Sequence, residues 1–403
     1  MINNPILPGF NPDPSICRVN EDYYIANSTF EWFPGVQIHH SRDLVNWRLL
    51  GHALNETRLL DLKGVPSSGG VWAPALSYSD GLFYLCYTVV HQHEAATKDT
   101  PNFLITAPSI EGPWSGPVFV NSSGFDPSLF HDEDNKKYWL NMVWDHRPGK
   151  HPFYGIAMQE YDPLNNTLTG ERKIIFKGSS LGLTEGPHIY RRNGFYYLLT
   201  AEGGTEYDHA VSLARSRDIF GPYEIHPNNP ILTSSRNPEL KLQKAGHASL
   251  VETPQGEWYM PHLCGRPLPD SKNCNLGRET AIQKVEWRED NWLYLTGGGN
   301  QPKMEAPDPA LAQYPWPAIT DRMPFDSNHY ATPRGPSNLV KREADCLTLN
   351  GAESMESNFE QAMLARRLTS QNLTATTKIS FNPENFQQMA GLAAYYNTFL
   401  FHY

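Results

Sequence analysis

Five times along the chain a short polar signature opens an apolar run, a turn follows, and an aromatic-rich run returns. The copies read DPSICRVNEDYYIANST from Asp13, APALSYSDGLFYLCYTV from Ala73, DPSLFHDEDNKKYWLNMV from Asp126, EGPHIYRRNGFYYLLTAEG from Glu185 and HASLVETPQGEWYMPHL from His247. Asp, Asn or Gly stands in every turn, so each copy is a hairpin. The openings lie 60, 53, 59 and 62 residues apart, room for four short strands and their loops. A period of that length, repeated five times, describes the blades of a propeller. Further echoes at the third strand (VQIHHSRDLVNW, FLITAPSIEGPW, AVSLARSRDIFGPY) each end in a Ser-containing turn and an aromatic. The fold expected is all-β, a five-bladed β-propeller over residues 1–300.

After the fifth copy the pattern breaks. The Pro-rich run QPKMEAPDPALAQYPWPAITD predicts a linker over residues 301–322. Alternating segments such as MPFDSNHYATP and LTATTKISFNP then predict, over 323–403, the start of a concanavalin-like β-sandwich, too short to be complete. Composition agrees, with 20 Tyr, 10 Trp, 30 Gly and 33 Pro suiting short strands and many turns.

A formal charge of -10 repels phosphate backbones, so nucleic acid is not expected as a partner. No apolar run approaches the roughly 18 residues that span a bilayer, and MINNPILPGFNPDPS lacks the regions of a signal peptide, so neither membrane nor export is expected. Five scattered cysteines read as reduced thiols and favour a cytoplasmic address. Asn-x-Ser/Thr sequons, such as those at Asn27 and Asn121, carry little weight in such a chain.

The first strand of each blade lines the central channel, so the five openings form a ring: Asp13, Ala73, Asp126, Glu185, His247. One Asp-Pro is usually a turn starter. Three acids at one phase of three separate repeats would repel and desolvate one another, an arrangement no fold needs for stability. Paired carboxyls across a cleft are what breaks a glycosidic bond, one protonating the leaving oxygen and the other activating water or attacking carbon. Glu185 stands in the uncharged run SLGLTEGPHI, a setting for a raised pKa and an acid. Asp13, among the turns of LPGFNPDPSI, suits an ionised base. Sugar rings also need aromatic platforms, and Phe30, Trp72 and Trp144 fall where the channel-mouth loops are expected. His247 and Arg278 alone carry no such weight, since a lone His is often a core residue and a lone Arg a solvated one.

Taken together and in order, GFNPDPS, SGGVWAPAL, GFDPSLF, LTEGPH and NLGRETAIQ resemble the family-43 glycoside hydrolases, in particular their β-xylosidase branch. The resemblance implies an inverting mechanism with Asp13 as general base, Glu185 as general acid and Asp126 as the residue that tunes and orients the acid. It implies that Phe30, Trp72, His247 and Arg278 surround the terminal sugar of a blind pocket, and Ala73 of the ring and the platform Trp144 are expected to bind substrate beside them. The substrates implied are β-1,4-xylo-oligosaccharides cut from the non-reducing end, with α-L-arabinofuranosides as side or alternative substrates. A saccharide-binding propeller without activity is the reading from another class. No cofactor is required by this chemistry; the resemblance leaves open a calcium ion at His247, and homo-oligomerisation is open as well.

Overall fold

The computed structural model describes residues 1–317 and 323–403. Five antiparallel sheets follow one another along the chain, each with its strands ordered from the axis outward. Blade 1 is Ser15–Val19, Asp22–Asn27, Gly35–Ser41 and Arg48–Leu54; blade 2 is Gly70–Ser79, Leu82–Val90, Asn102–Ala107 and Val118–Asn121. Blade 3 is Ser128–His131, Lys137–Trp144, Phe153–Asp162 and Thr167–Phe176. Blade 4 is Glu185–Arg192, Phe195–Glu202, Ala210–Ser216 and Glu224–Ile225, with Leu232–Thr233 as an added short strand. Blade 5 is Gln243–Ala248, Trp258–Gly265, Glu279–Trp287 and Leu293–Leu295, with Val251–Glu252 beside its second strand. Among the described residues there is no helix long and apolar enough to cross a membrane.

Strand alternation explains the ring. Successive side chains point to opposite faces, and here each face of a blade is buried against a neighbour. On Leu82–Val90, Phe83, Leu85 and Tyr87 join the core shared with blade 1, while Tyr84 and Cys86 join the one shared with blade 3. Similar cores lie between blades 3 and 4 and between blades 4 and 5. The fifth core, with Ile2, Leu7, Ile16, Tyr23, Tyr259 and Ile282, closes blade 5 on blade 1 through the N-terminal segment. Serines just beyond the ring positions latch the inner strands. Ser249 Oγ donates to the Pro14 carbonyl (2.8 Å) and accepts from Ile16 N–H (3.0 Å). Ser128 Oγ donates to Pro187 O, and Ser15 Oγ accepts from Leu76 N–H.

The segment expected to be a linker is tied to the propeller as far as residue 317. Glu305–Ala306 pairs with Ile2–Asn3, Tyr314 N–H donates to Asp43 (2.7 Å), and the Arg48 guanidinium lies 3.9 Å from the Trp316 ring centroid. Its residues 318–322 lie outside the described residues. From 323 onward the chain forms small pieces of sheet rather than two packed layers. Tyr330–Pro333 pairs with Ala365–Arg366 and also with Trp32–Phe33 of the propeller, and Val340–Arg342 with Leu347–Leu349 form one hairpin, Ala394–Asn397 with Leu400–His402 another.

Candidate active site

At the channel mouth each blade carries a backbone kink just before or within its inner strand. Asp13, Ala73, Asp126 and His247 have φ of 55°, 32°, 56° and 42°, in the left-handed region that costs a non-glycine residue about 1–2 kcal/mol. In blade 4 the kink falls on Gly186 (φ 58°), not on Glu185. The equivalent ring position is therefore Gly186, which like Asp13, Ala73 and Asp126 precedes a proline, and Glu185 stands one residue earlier. This corrects the ring read from the sequence. Pairing slips at these kinks in blades 2, 4 and 5 mark β-bulges, which re-aim side chains towards the axis. Glycine at 186 also makes room: a Cβ there would come 2.9 Å from the His247 ring.

Asp13 is 5% exposed and tightly held. Ser28 Oγ donates to its Oδ2 (2.6 Å) and accepts from Ala73 N–H (2.7 Å), so one hydroxyl links blades 1 and 2 at the base of the pocket. Arg278 Nη1 lies 3.6 Å and His247 Nδ1 3.9 Å from Asp13 Oδ1. Burial pushes Asp13 up, but Arg278, His247 and the Ser28 hydroxyl outweigh it and hold the carboxyl below its ordinary value. The sequence reading of Asp13 as ionised agrees in direction, although these partners, rather than the turns around it, are the cause.

Glu185 and Asp126 are shifted the other way. Burial, then repulsion from Asp13, pushes Glu185 up to about 8 against the pull of Arg278. For Asp126, burial and the charges of Glu185 and Asp13 outweigh the Gly186 N–H, which donates to its Oδ2 at 3.0 Å. The two titrate as a pair. The Gly186 amide favours a carboxylate at Asp126, while among the described residues Glu185 accepts no such bond.

The wall is aromatic. Phe10, Phe30, Trp72, Phe125, Trp144 and Phe153 form a continuous belt with neighbouring centroids 5.4 to 6.2 Å apart. Arg278 stacks over Phe30 at 4.8 Å and so belongs to the pocket, not to the surface. Next to it Glu279, fully buried, pairs with Arg266 (2.7 and 2.8 Å) and accepts from Gly9 N–H, fixing the strand start that carries Arg278. Behind Glu185, Glu202 accepts from Thr184 Oγ1 (2.8 Å) and Ser179 N–H (2.7 Å), anchoring the loop that leads to the acid. Further down the axis the inner strands line a cavity of about 180 Å³ that includes Ser15, Ser77, Ser128 and His188.

These contacts bring Asp13, Ala73, Asp126, Glu185, His247 and Arg278 together with the Phe30, Trp72 and Trp144 belt. Missed were Ser28, Gly186, Phe10, Phe125 and Glu202. Asn27 is no glycan acceptor here, being fully buried with its Nδ2 donating to the carbonyls of Asn11 and Pro12. A calcium ion at His247 does not fit the groups present. Calcium takes six to eight oxygens, His247 faces Asp13 and Arg278, and among the described residues no group of three or more His, Cys, Asp or Glu could hold a metal.

A model of the Glycosyl hydrolases family 43 matches residues 2–293, and one of the Beta xylosidase C-terminal Concanavalin A-like domain matches residues 320–403. The chain is 53% identical to the Xylosidase/arabinosidase 43B of Humicola insolens over 100% of its own length and 76% of the relative's. It is 52% identical to a Beta-xylosidase of Bacillus subtilis, covering 98% of itself and 77% of that protein. A crystal structure of a xylan beta-1,4-xylosidase from Bacillus halodurans superposes with a TM-score of 0.90 at 55% identity, over 92% of this chain and 72% of that one. The chain belongs to glycosyl hydrolase family 43, as a glycoside hydrolase with its propeller and a concanavalin-like C-terminal segment.

Proposed function

We propose that the chain is an inverting, exo-acting β-xylosidase that releases xylose from the non-reducing end of β-1,4-xylo-oligosaccharides. The observation that carries this reading is the opposite ionisation of two carboxyl groups in one buried pocket, Asp13 held low and Glu185 pushed up to about 8. Ionised Asp13 takes a proton from water as that water attacks the anomeric carbon. Protonated Glu185 gives its proton to the departing glycosidic oxygen. Asp126, bonded to the Gly186 amide beside Glu185, orients the acid and tunes its pKa. Arg278 supplies N–H groups for sugar hydroxyls, and the Phe30–Trp72 wall faces the apolar side of the ring.

An α-L-arabinofuranosidase reading is favoured by one observation, the xylosidase/arabinosidase name of the Humicola insolens relative. Turnover of aryl β-D-xyloside and aryl α-L-arabinofuranoside measures the balance, and β-xyloside is expected to be the better substrate. Proton NMR of the first product tests the mechanism. Release of α-xylose from a β-xyloside is expected; initial release of the β-anomer refutes inversion. A reducing compartment such as the cytoplasm accords with five free cysteines, one of them exposed.

A further inference from the structure

Asp13 is held by the Ser28 hydroxyl and Asp126 by the Gly186 amide, but among the described residues no hydrogen bond holds the carboxyl of Glu185. Its direction is therefore set through the backbone. Strand pairing does little for it, because the register slips between Glu185 and His188. The residues before it, 177–184, form no strand.

That segment is wrapped around Glu202, the last residue of Phe195–Glu202, which is fully buried. Glu202 Oε1 accepts from Ser179 N–H (2.7 Å) and Thr184 Oγ1 (2.8 Å), and Oε2 accepts from the hydroxyls of Ser179 and Ser212. All four partners donate and none is a cation, a pattern that suits a carboxylate, which only accepts. Ser212, on Ala210–Ser216, takes a bond from Asn229 Nδ2 (2.9 Å), and Asn229 Oδ1 accepts from Leu213 N–H (3.1 Å). A polar train thus crosses blade 4 by Asn229, Ser212, Glu202 and Thr184, ending at the residue before the acid. Gly178 leaves room for it: with φ of 91°, a Cβ there would stand 2.0 Å from Thr184 Oγ1 and 2.9 Å from Glu202 Oε1. Gly203 N–H, next after Glu202, donates to Gly182 O (2.8 Å) and ties the segment a second time.

We infer that Glu202 is a positioning residue: acting through Thr184, it sets the carboxyl of Glu185 against the leaving oxygen. Successive side chains of an extended chain point to opposite sides, so with Thr184 drawn into the blade Glu185 is turned to the channel. A neutral side chain could tie down a loop without the cost of burying a carboxylate. Hydrogen bonds to a carboxylate are about twice as strong as neutral ones, so the carboxylate gives a stiffer hold. The charge of Glu202 is not among those acting on Glu185, so its influence runs through geometry.

The inference rests on the acid role proposed for Glu185, and the test separates the two. Xylobiose releases an alcohol and needs the acid's proton, whereas 2,4-dinitrophenyl β-D-xyloside releases a stable phenolate and needs little help. Thr184→Val keeps the shape of the side chain and removes its bond; Glu202→Ala removes the whole hold. Both should lower kcat/KM on xylobiose by about 10²-fold, as a reacting group misplaced by about 1 Å does, and on the dinitrophenyl xyloside by about threefold or less. Glu185→Gln should show the same contrast at larger size. Where Glu202→Ala does not fold, Thr184→Val decides. Equal losses on both substrates in Thr184→Val, with the contrast intact in Glu185→Gln, overturn the positioning role, as does an undiminished rate on xylobiose. A Glu185→Gln variant without the contrast overturns the acid role, and this inference with it.

Discussion

Arg278 stands 3.6 Å from Asp13 and stacks on Phe30, so its charge is spent mainly on one of the pocket's carboxyls. Two acids in the same burial thereby end in different states, and the pH dependence follows from their signs. Asp13 must be ionised, so kcat/KM should fall only as pH drops through a pKa below its ordinary 3.8. Glu185 must be protonated, so kcat/KM should fall as pH rises through about 8. Glu185→Gln, measured on an aryl β-xyloside, should lower kcat by about 10²–10⁴-fold and erase the alkaline limb. Retention of that limb would assign it to another group. At this scale the sequence shows the charged residues and hides their partners. Asp13 and Asp126 stand out because acids recur at one phase of a repeat, and Glu185 because it stands one residue before that phase. Ser28, which fixes Asp13, is buried inside what reads as a glycosylation sequon, and its role exists only when blade 2 delivers the Ala73 amide.

Elements were legible where the period was strong. Five hairpins at nearly equal spacing leave a propeller as the economical fold; the opening signatures lead into or fall within the inner strands of blades 1 to 4, while in blade 5 the strand Gln243–Ala248 ends as the signature at His247 begins. What a linear period does not encode is phase to one residue. Glu185 sits before Gly186-Pro187, whereas Asp13 and Asp126 themselves precede proline, so only the backbone kink separates the acid from its ring position. The serine latches are equally silent, because their partners lie on adjacent blades. Ser249 makes two such bonds across the closure between blades 5 and 1. Ser249→Ala leaves the Pro14 carbonyl and the Ile16 amide buried without partners, a loss of about 2–3 kcal/mol. A lowered urea midpoint with an unchanged m value is expected. The pulled strand begins just after Asp13, so kcat should fall with it; an unchanged midpoint would show that ring closure rests on the apolar core alone.

For the molecule as a whole, the question is how the residues after 323 hold to the propeller. Their alternating pattern predicted β-structure, but where it would dock depends on long-range partners that no local pattern contains. Arg334 is the principal bolt. It is 1% exposed, its backbone N–H donates to the Glu31 carbonyl (2.7 Å), and its guanidinium donates to Val65 O (2.7 Å) and to Gln361 Oε1 (3.3 Å). Around it Gly64 N–H donates to Asn358 O (2.8 Å), and Ser67 and Thr398 hydroxyls meet at 3.1 Å. Apart from the bonds to Glu31 and Gln361, these contacts use the loop between blades 1 and 2, which approaches the pocket wall where Ser68 O accepts from the Trp72 indole and Ser68 N–H donates to Glu31. Arg334→Met keeps much of the packing and removes the guanidinium bonds, costing about 2–3 kcal/mol at the docking site. Limited proteolysis should then cut first between residues 335 and 403 while the propeller core stays intact. Because Glu31 adjoins Phe30, the looser wall should raise KM roughly fivefold, the worth of about 1 kcal/mol, and leave kcat and the pH profile of the carboxyl pair in place. A parallel fall in kcat with unchanged KM would mean that Arg334 acts on the carboxyl pair itself, and an unaltered cleavage pattern would move the bolt elsewhere along the loop.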